Sequence, residues 1–138
     1  MLTTKEFSHP NLTAAVFCTL FALAGLAPAP AQAQMQTTQT IALSPGASTT
    51  IVLRENPSTG FRWGLNAEQS SNLDLIRVID RGYQAGESGL IGAPGTHRWE
   101  IEARTRGTAS VVFTCARPWE RKPPAETHVV QVNIARSR

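Results

Sequence analysis

The chain has 138 residues, of which 41% are hydrophobic, 17% are charged and 7% are aromatic. This length suits one domain and leaves no room for a two-domain cofactor enzyme, and the ordinary apolar content argues against disorder of the whole chain. The net charge of +3 comes from 13 Lys and Arg residues that form no basic run, so nucleic acid is a poor candidate partner.

The first 33 residues have the pattern of a secretory signal peptide. Lys5 precedes an apolar run over residues 12–27, and Ala31-Gln32-Ala33 supplies an Ala-x-Ala cleavage site. The run is shorter than the ~20 residues of a membrane span, which disfavours the alternative of an uncleaved anchor. We therefore expect an exported domain of residues 34–138, periplasmic or secreted, that does not associate with a membrane after cleavage.

The exported domain is predicted to consist of β-strands. Seven β-like runs cover residues 37–43, 48–53, 61–66, 73–80, 96–104, 108–116 and 127–135. Alternation places Trp99, Ile101 and Ala103 on one face of the fifth run, which is typical of an antiparallel strand with one wet face. Seven short strands in about 100 residues predict an all-β fold, an immunoglobulin-like antiparallel β-sandwich.

Cys115 is the one cysteine that remains after loss of the signal peptide, because Cys18 lies within it. An internal disulfide is therefore excluded in the exported domain. Cys115 alternates with Val111 and Phe113 in the sixth run, so we interpret it as a core residue. The alternative, a catalytic thiol, lacks a histidine nearby in the sequence.

The connection between the second and third runs is a stiff turn. Pro57 fixes its own φ, and Gly60 provides a positive φ before the chain enters the next strand. Ser58 and Thr59 then present two small hydroxyl groups at the tip. A plain turn explains this pattern, and so does a preorganised binding loop.

Two further connections are unusual. Residues 82–95 carry several glycines around the apolar pair Leu90-Ile91, without the spacing of a phosphate-binding loop, and a plain flexible loop is the alternative. After the sixth run comes Arg117-Pro118-Trp119, with residue types enriched at interface hot spots, although the indole would also fit against the sandwich edge. In a seven-stranded sandwich all three connections leave the same end.

These three segments together resemble the chagasin family of cysteine peptidase inhibitors, across nearly the whole exported domain. The resemblance rests on an Asn-Pro-Ser-Thr-Gly-Phe motif, a Gly-rich second segment and an Arg-Pro-Trp motif, in this order. It implies an immunoglobulin-like sandwich whose three loops enter the active-site cleft of papain-like, cathepsin L-like peptidases and bind reversibly. The implied peptidase-binding residues are Asn56, Pro57, Ser58, Thr59, Gly60, Phe61, Leu90, Ile91, Gly92, Ala93, Pro94, Gly95, Arg117, Pro118 and Trp119.

Two positions depart from the family pattern. Ser58 stands where the family often has Thr, which keeps the hydroxyl group and removes a methyl group. Pro94 stands where the first glycine of a Gly-Gly pair is usual. Proline lacks a backbone N–H and cannot adopt a positive φ, so the second segment is the least secure part of the implied surface.

The remaining function classes receive less support. An exported adhesion or carbohydrate-binding module would use Trp119 and Trp63 as stacking platforms, but Trp63 is better placed in the core. His97 and His128 lie on different strands without further ligands at metal-binding spacing, so we expect no metal, no cofactor and no enzymatic activity. The sequence shows no edge strand that would favour association with another chain, so we expect a monomer.

Overall fold

A computed structural model describes residues 34–136 of the chain. The predicted signal peptide, residues 1–33, lies outside the described residues. The described part contains seven strands: β1 (Met35–Leu43), β2 (Ser48–Glu55), β3 (Arg62–Leu65), β4 (Ile76–Gln84), β5 (Gly95–Ala103), β6 (Gly107–Ala116) and β7 (Glu126–Ile134). Short 3₁₀ helices cover Pro57–Thr59 and Leu73–Leu75. Within residues 34–136, no helix is long and apolar enough to cross a membrane.

The strands form two sheets, in the orders β1-β7-β6-β3 and β2-β5-β4. This arrangement confirms the predicted all-β immunoglobulin-like sandwich. Pairing is antiparallel except between β1 and β7, which run parallel among the described strands. Because β1 and β7 run in the same direction, both begin at the end of the sandwich where β2, β4 and β6 finish.

The core lies between the sheets and is built from alternating residues of every strand except β1. Trp99, Ile101 and Ala103 are all buried, which confirms the predicted phase of β5. Cys115 is a buried free thiol, as expected. Burial, reinforced by the carboxylates of Glu126 and Glu55, raises its pKa to about 11. A thiol with so high a pKa is almost entirely protonated near neutral pH and is a poor nucleophile.

The fourth strand differs from its predicted course. We expected it to end at residue 80, because Arg81-Gly82 is a typical turn pair, but it runs from Ile76 to Gln84. A β-bulge at Arg81 absorbs the irregularity, since Gly82 has a φ of +79° and its N–H donates to the Asp80 carboxylate. The connection that follows is therefore shorter than predicted and covers residues 85–94.

Candidate functional site

Three connections leave one end of the sandwich: the first loop (residues 56–61), the second loop (85–94) and the third loop (117–125). The structure brings them into contact. The first loop is central, because it bonds to both of the others. The predicted clustering of the three segments is thus observed, although Gly95 belongs to β5 and is buried.

The first loop is fixed by hydrogen bonds within itself. The Asn56 side-chain oxygen accepts from the Ser58 backbone N–H (3.2 Å) and from the Ser58 hydroxyl (2.5 Å). The Thr59 hydroxyl donates to the Asn56 carbonyl oxygen at 2.7 Å. Gly60, at φ +82°, ends the turn by donating to the Pro57 carbonyl oxygen at 3.0 Å. These hydrogen bonds explain the predicted stiffness of the first loop. Because the exposed Ser58 and Thr59 hydroxyls donate to Asn56, their hydrogens point into the loop.

The second loop is joined to the first by the Asn56 amide, whose Nδ2 donates to the Gly92 carbonyl oxygen at 3.2 Å. Its tip is a tight turn in which the Ala93 N–H donates to the Leu90 carbonyl oxygen, and Gly92 has the positive φ that such a turn needs. Leu90 is 73% exposed and Ile91 is fully exposed. Two apolar side chains therefore project from an ordered turn.

Pro94 is exposed between this turn and β5. The backbone of Gly86 passes close to it, since a Cβ on Gly86 would lie 2.6 Å from the Pro94 carbonyl oxygen. The two arms of the second loop thus touch at their base.

Arg117 joins the third loop to the first. Its Nε donates to the Thr59 carbonyl oxygen at 3.0 Å, and its guanidinium lies 4.4 Å above the Phe61 ring. Glu120 holds the same guanidinium through Nη1 at 2.9 Å. This hydrogen bond, aided by the nearby Lys122, lowers the pKa of Glu120. The Phe61 ring and the Arg117 cation form a cation–π pair at the base of the first loop.

Trp119 is 69% exposed and does not fold back against the sandwich edge. Its ring lies against Gly60, where an added Cβ would come within 2.6 Å of the indole Cη2. The adjacent Pro118 is exposed as well. Glycine at position 60 therefore serves two purposes, the positive φ of the turn and the close approach of the indole.

A polar cluster that is buried at Glu55 and His97 lies beneath the loops and was not predicted. His97 bonds through Nδ1 to Glu55 Oε2 (3.0 Å) and through Nε2 to Asp80 Oδ1 (2.6 Å). Glu55 is 3% exposed and His97 is 9% exposed. The available signal was the alternation itself, because Glu55 follows Ile51 and Leu53, and His97 precedes Trp99, at inward positions.

Comparisons with known proteins agree with this geometry. The family model described as "Chagasin family peptidase inhibitor I42" matches residues 42–134. Chagasin of Trypanosoma cruzi is 33% identical over 82 residues, covering 58% of this chain and 74% of that protein. Amoebiasin-1 of Entamoeba histolytica is 25% identical over 95 residues, covering 69% of this chain and 89% of that protein.

Solved structures are similar as well. The cysteine protease inhibitor EhICP2 from Entamoeba histolytica superposes with a TM-score of 0.59 at 26% identity, covering 73% of this chain and 95% of that chain. PbICP-C, solved in complex with falcipain-2, superposes with a TM-score of 0.59 at 25% identity, covering 74% of this chain and 92% of that chain.

Proposed function

Because this chain belongs to the chagasin family of peptidase inhibitors, we propose that its three loops together close the active-site cleft of a papain-like cysteine peptidase. The protein is an inhibitor of cysteine peptidases and not an enzyme. The proposal assigns the central role to the first loop and the flanking roles to the second and third loops. The single observation that supports it best is the direct bonding of the first loop to both of its neighbours.

The first loop has the chemistry of a plug that is not cleaved. The Asn56 carbonyl oxygen accepts from the Thr59 N–H and hydroxyl, and the Thr59 carbonyl oxygen accepts from Arg117. Carbonyl oxygens engaged in this way are not free to enter an oxyanion hole, where the peptidase would stabilise attack. The outward lone pairs of the Ser58 and Thr59 hydroxyls accept hydrogen bonds from the imidazolium of the thiolate–imidazolium pair.

The flanking loops supply apolar contacts. Leu90, Ile91 and Trp119 are exposed on ordered turns that lose little conformational entropy on docking. Trp119 is the expected hot spot among them, because tryptophan is enriched at such positions. A standard interface of ~1,600 Å² with these anchors supports affinity in the nanomolar range.

Partner class, assembly and location complete the proposal. A cathepsin L-like peptidase is the expected target, bound by one monomer of this protein. The signal-peptide pattern of residues 1–33 supports export to the periplasm or the medium. We expect action outside the cytoplasm, where the chain meets peptidases of its own cell or of other organisms.

A titration of papain and of a cathepsin L-like peptidase with the purified protein tests the proposal. Residual activity on a fluorogenic peptide should fall to zero near one equivalent and recover on dilution. The double variant Thr59→Ala/Trp119→Ala should relieve the inhibition. Absence of inhibition at micromolar concentration across several such peptidases contradicts the proposal.

A carbohydrate-binding module would stack sugars on Trp63 and Trp119, and the structure makes Trp63 inaccessible. Trp63 is 8% exposed and its Nε1 donates to the Arg54 carbonyl oxygen at 2.8 Å, so its ring cannot stack on a sugar. Trp119 alone remains accessible for such contacts. A shift of tryptophan fluorescence on addition of sugars, without peptidase inhibition, would favour that module.

A further inference from the structure

We propose that Glu55, His97 and Asp80 form a bridge, here called the loop-root bridge, that holds the first loop in the conformation that binds a peptidase. The inference rests on the proposed function and assigns these three side chains as positioning residues, since none lies at the exposed tip of a loop. The bridge links β2, β5 and β4 directly below the loop end.

The bridge is attached to both sides of the first loop. Glu55 is the last residue of β2 and directly precedes Asn56, where the loop begins. The same Glu55 Oε2 that bonds to His97 also accepts from the backbone N–H of Trp63 at 2.8 Å, just after the loop ends. One carboxylate therefore fixes the entry and the exit of the loop at a common point.

The bridge is also attached to the strands that carry the second loop. His97 lies near the start of β5, and Asp80 lies on β4, next to its bulge. The Asp80 carboxylate accepts both from His97 and from the Gly82 N–H. A displacement of His97 would therefore be transmitted to the roots of two loops that meet at Asn56 and Gly92.

The hydrogen bonding of the bridge is demanding. Carboxylate oxygens accept and do not donate, so both contacts are satisfied together when His97 donates from both ring nitrogens. The ring plane is fixed by stacking on Trp99, with centroids 4.9 Å apart and an interplanar angle of 15°. A side chain whose donors all sit on one nitrogen cannot reach the two carboxylates, which lie at different ring nitrogens of His97.

Apart from His97, Glu55 is held by the Trp63 N–H and by one long ion pair with Arg62. Its second oxygen, Oε1, is buried without a hydrogen-bond partner among the described residues, and Arg62 lies 3.7 Å away. Removal of one partner of a buried charge is strongly destabilising, and loss of His97 would leave the Glu55 carboxylate with the Trp63 N–H and the half-exposed Arg62 as its partners. The strand end at Glu55 would then relax toward water, and the first loop, which starts at the next residue, would move with it.

This role predicts a specific kinetic change. A loop that is in its binding conformation for only a fraction of the time weakens the apparent affinity by that fraction. The His97→Gln variant has its donors on one nitrogen instead of two and should inhibit papain about tenfold more weakly, if the competent fraction falls to about a tenth. The loss should appear in the association rate, with the dissociation rate unchanged, because the complex once formed has the same contacts.

Two control variants separate positioning from general stability. His128→Gln makes the same substitution on β7, where the imidazole forms a hydrogen bond with the Gln39 side chain at 3.3 Å and none with the loops, and should leave inhibition unchanged. Val132→Ala opens a cavity in the fully buried core away from the loops and should lower the melting temperature without weakening inhibition. If His97→Gln inhibits like these controls, the proposal is wrong.

A second variant covers the case in which His97→Gln does not fold. Asp80→Ala cuts the bridge from its solvent side, where the carboxylate is 52% exposed, so folding is less at risk. It should weaken inhibition about threefold, since Glu55 still holds His97. Inhibition equal to that of the wild type would again overturn the proposal.

Amide hydrogen exchange tests the bridge without any peptidase. The Thr59 and Gly60 N–H groups are bonded within the first loop, and their exchange should accelerate about tenfold in His97→Gln but not in His128→Gln. Unchanged exchange would overturn the positioning role. If the wild-type protein inhibits no peptidase while exchange accelerates as expected, the proposed function fails and the bridge stands.

Discussion

The two ends of the sandwich are both rigid, but they are built differently. At the end opposite the loops, main-chain bonds predominate: the Gly46 N–H donates to the Ala103 carbonyl oxygen, and the Arg104 and Thr105 N–H groups both donate to that of Leu75. The Asn72 side chain adds one bond there, to the Thr108 carbonyl oxygen. At the loop end, side chains of Asn56 and Arg117 bond across to the backbone of neighbouring loops. Rigidity alone therefore does not mark a binding surface.

The ends also differ in what they expose. Leu75 packs against the core at the opposite end, whereas Leu90, Ile91 and Trp119 project from the loop end into solvent. A group of large apolar side chains exposed together is a common mark of a protein interaction site. The binding surface is therefore expected at the end where ordered turns expose apolar side chains. Each of the following tests compares one change at the loop end with a matched change elsewhere in the sandwich.

Truncation of one large side chain at each end should give opposite results. Trp119→Ala should weaken inhibition by at least ~2 kcal/mol, about thirtyfold, with little change in melting temperature, because the indole is exposed. Leu75→Ala should destabilise the fold by about 2 kcal/mol and leave inhibition unchanged. Papain titration and thermal unfolding of both variants provide the measurement. If Trp119→Ala inhibits as well as the wild type, the indole is not an anchor of the complex.

Insertion of one methyl group at each end tests the close packing of the loops. Gly60 and Gly46 have φ values of +82° and +87°, so alanine at either position should cost about 1 kcal/mol of stability. Only at Gly60 does the new Cβ collide with Trp119; at Gly46 nothing lies within 4 Å. Gly60→Ala should in addition weaken inhibition about tenfold, roughly 1.4 kcal/mol. Equal inhibition by the two variants would show that the indole position does not matter.

The sequence predicted the strands and the shared end of the loops because both follow from local patterns. Alternation along β5 fixes which residues face inward, and chain order fixes which connections emerge together. The prediction that the fourth strand ends before Arg81-Gly82 was wrong because a turn and a bulge both use the positive φ that glycine supplies. Local patterns of this kind cannot tell a chain reversal from a strand that continues.

Contacts between residues far apart in the sequence could not be predicted from it, for a different reason. Glu55 and His97 are 42 residues apart, and neither residue has a local partner that would reveal the pair. The orientation of the Ser58 and Thr59 hydroxyls was likewise open, because it depends on the rotamers that Asn56 imposes. The sequence therefore indicates which loops meet, while the bonds that fix them come from the folded chain.

Removal of one asparagine side chain at each end tests the value of the cross-loop bond. Asn56 bonds within its own loop and to Gly92, whereas the Asn66 side chain accepts only the local N–H of Gln69. Asn56→Ala should weaken inhibition about fivefold, in line with ~1 kcal/mol for a hydrogen bond, and Asn66→Ala should not. Inhibition constants for papain distinguish the two, and parallel losses would mean that the cross-loop bond does not order the surface.

The smallest expected effect concerns the acid side of the stability profile. The Arg117 hydrogen bond lowers the pKa of Glu120 at the loop end, and the Arg81 hydrogen bond lowers the pKa of Glu100 on the sheet. A carboxyl group with a lowered pKa in the folded state stabilises the fold above its ordinary pKa, and this stabilisation is lost as the pH falls below that value. Glu120→Gln and Glu100→Gln should therefore be slightly less stable than the wild type at pH 7, and each difference should disappear toward pH 3.

The two variants should differ in how strongly they inhibit a peptidase. Glu120 holds the guanidinium that contacts both Thr59 and Phe61, so Glu120→Gln should slightly weaken inhibition at pH 7, whereas Glu100→Gln should not. Both pairs are solvent-exposed and of similar kind, so their contributions to stability should be equally small. Denaturant unfolding at pH 7 and pH 3, together with papain titration at pH 7, measures both effects. Equal inhibition by the two variants would mean that Arg117 keeps its place without Glu120, through its bonds to the first loop alone.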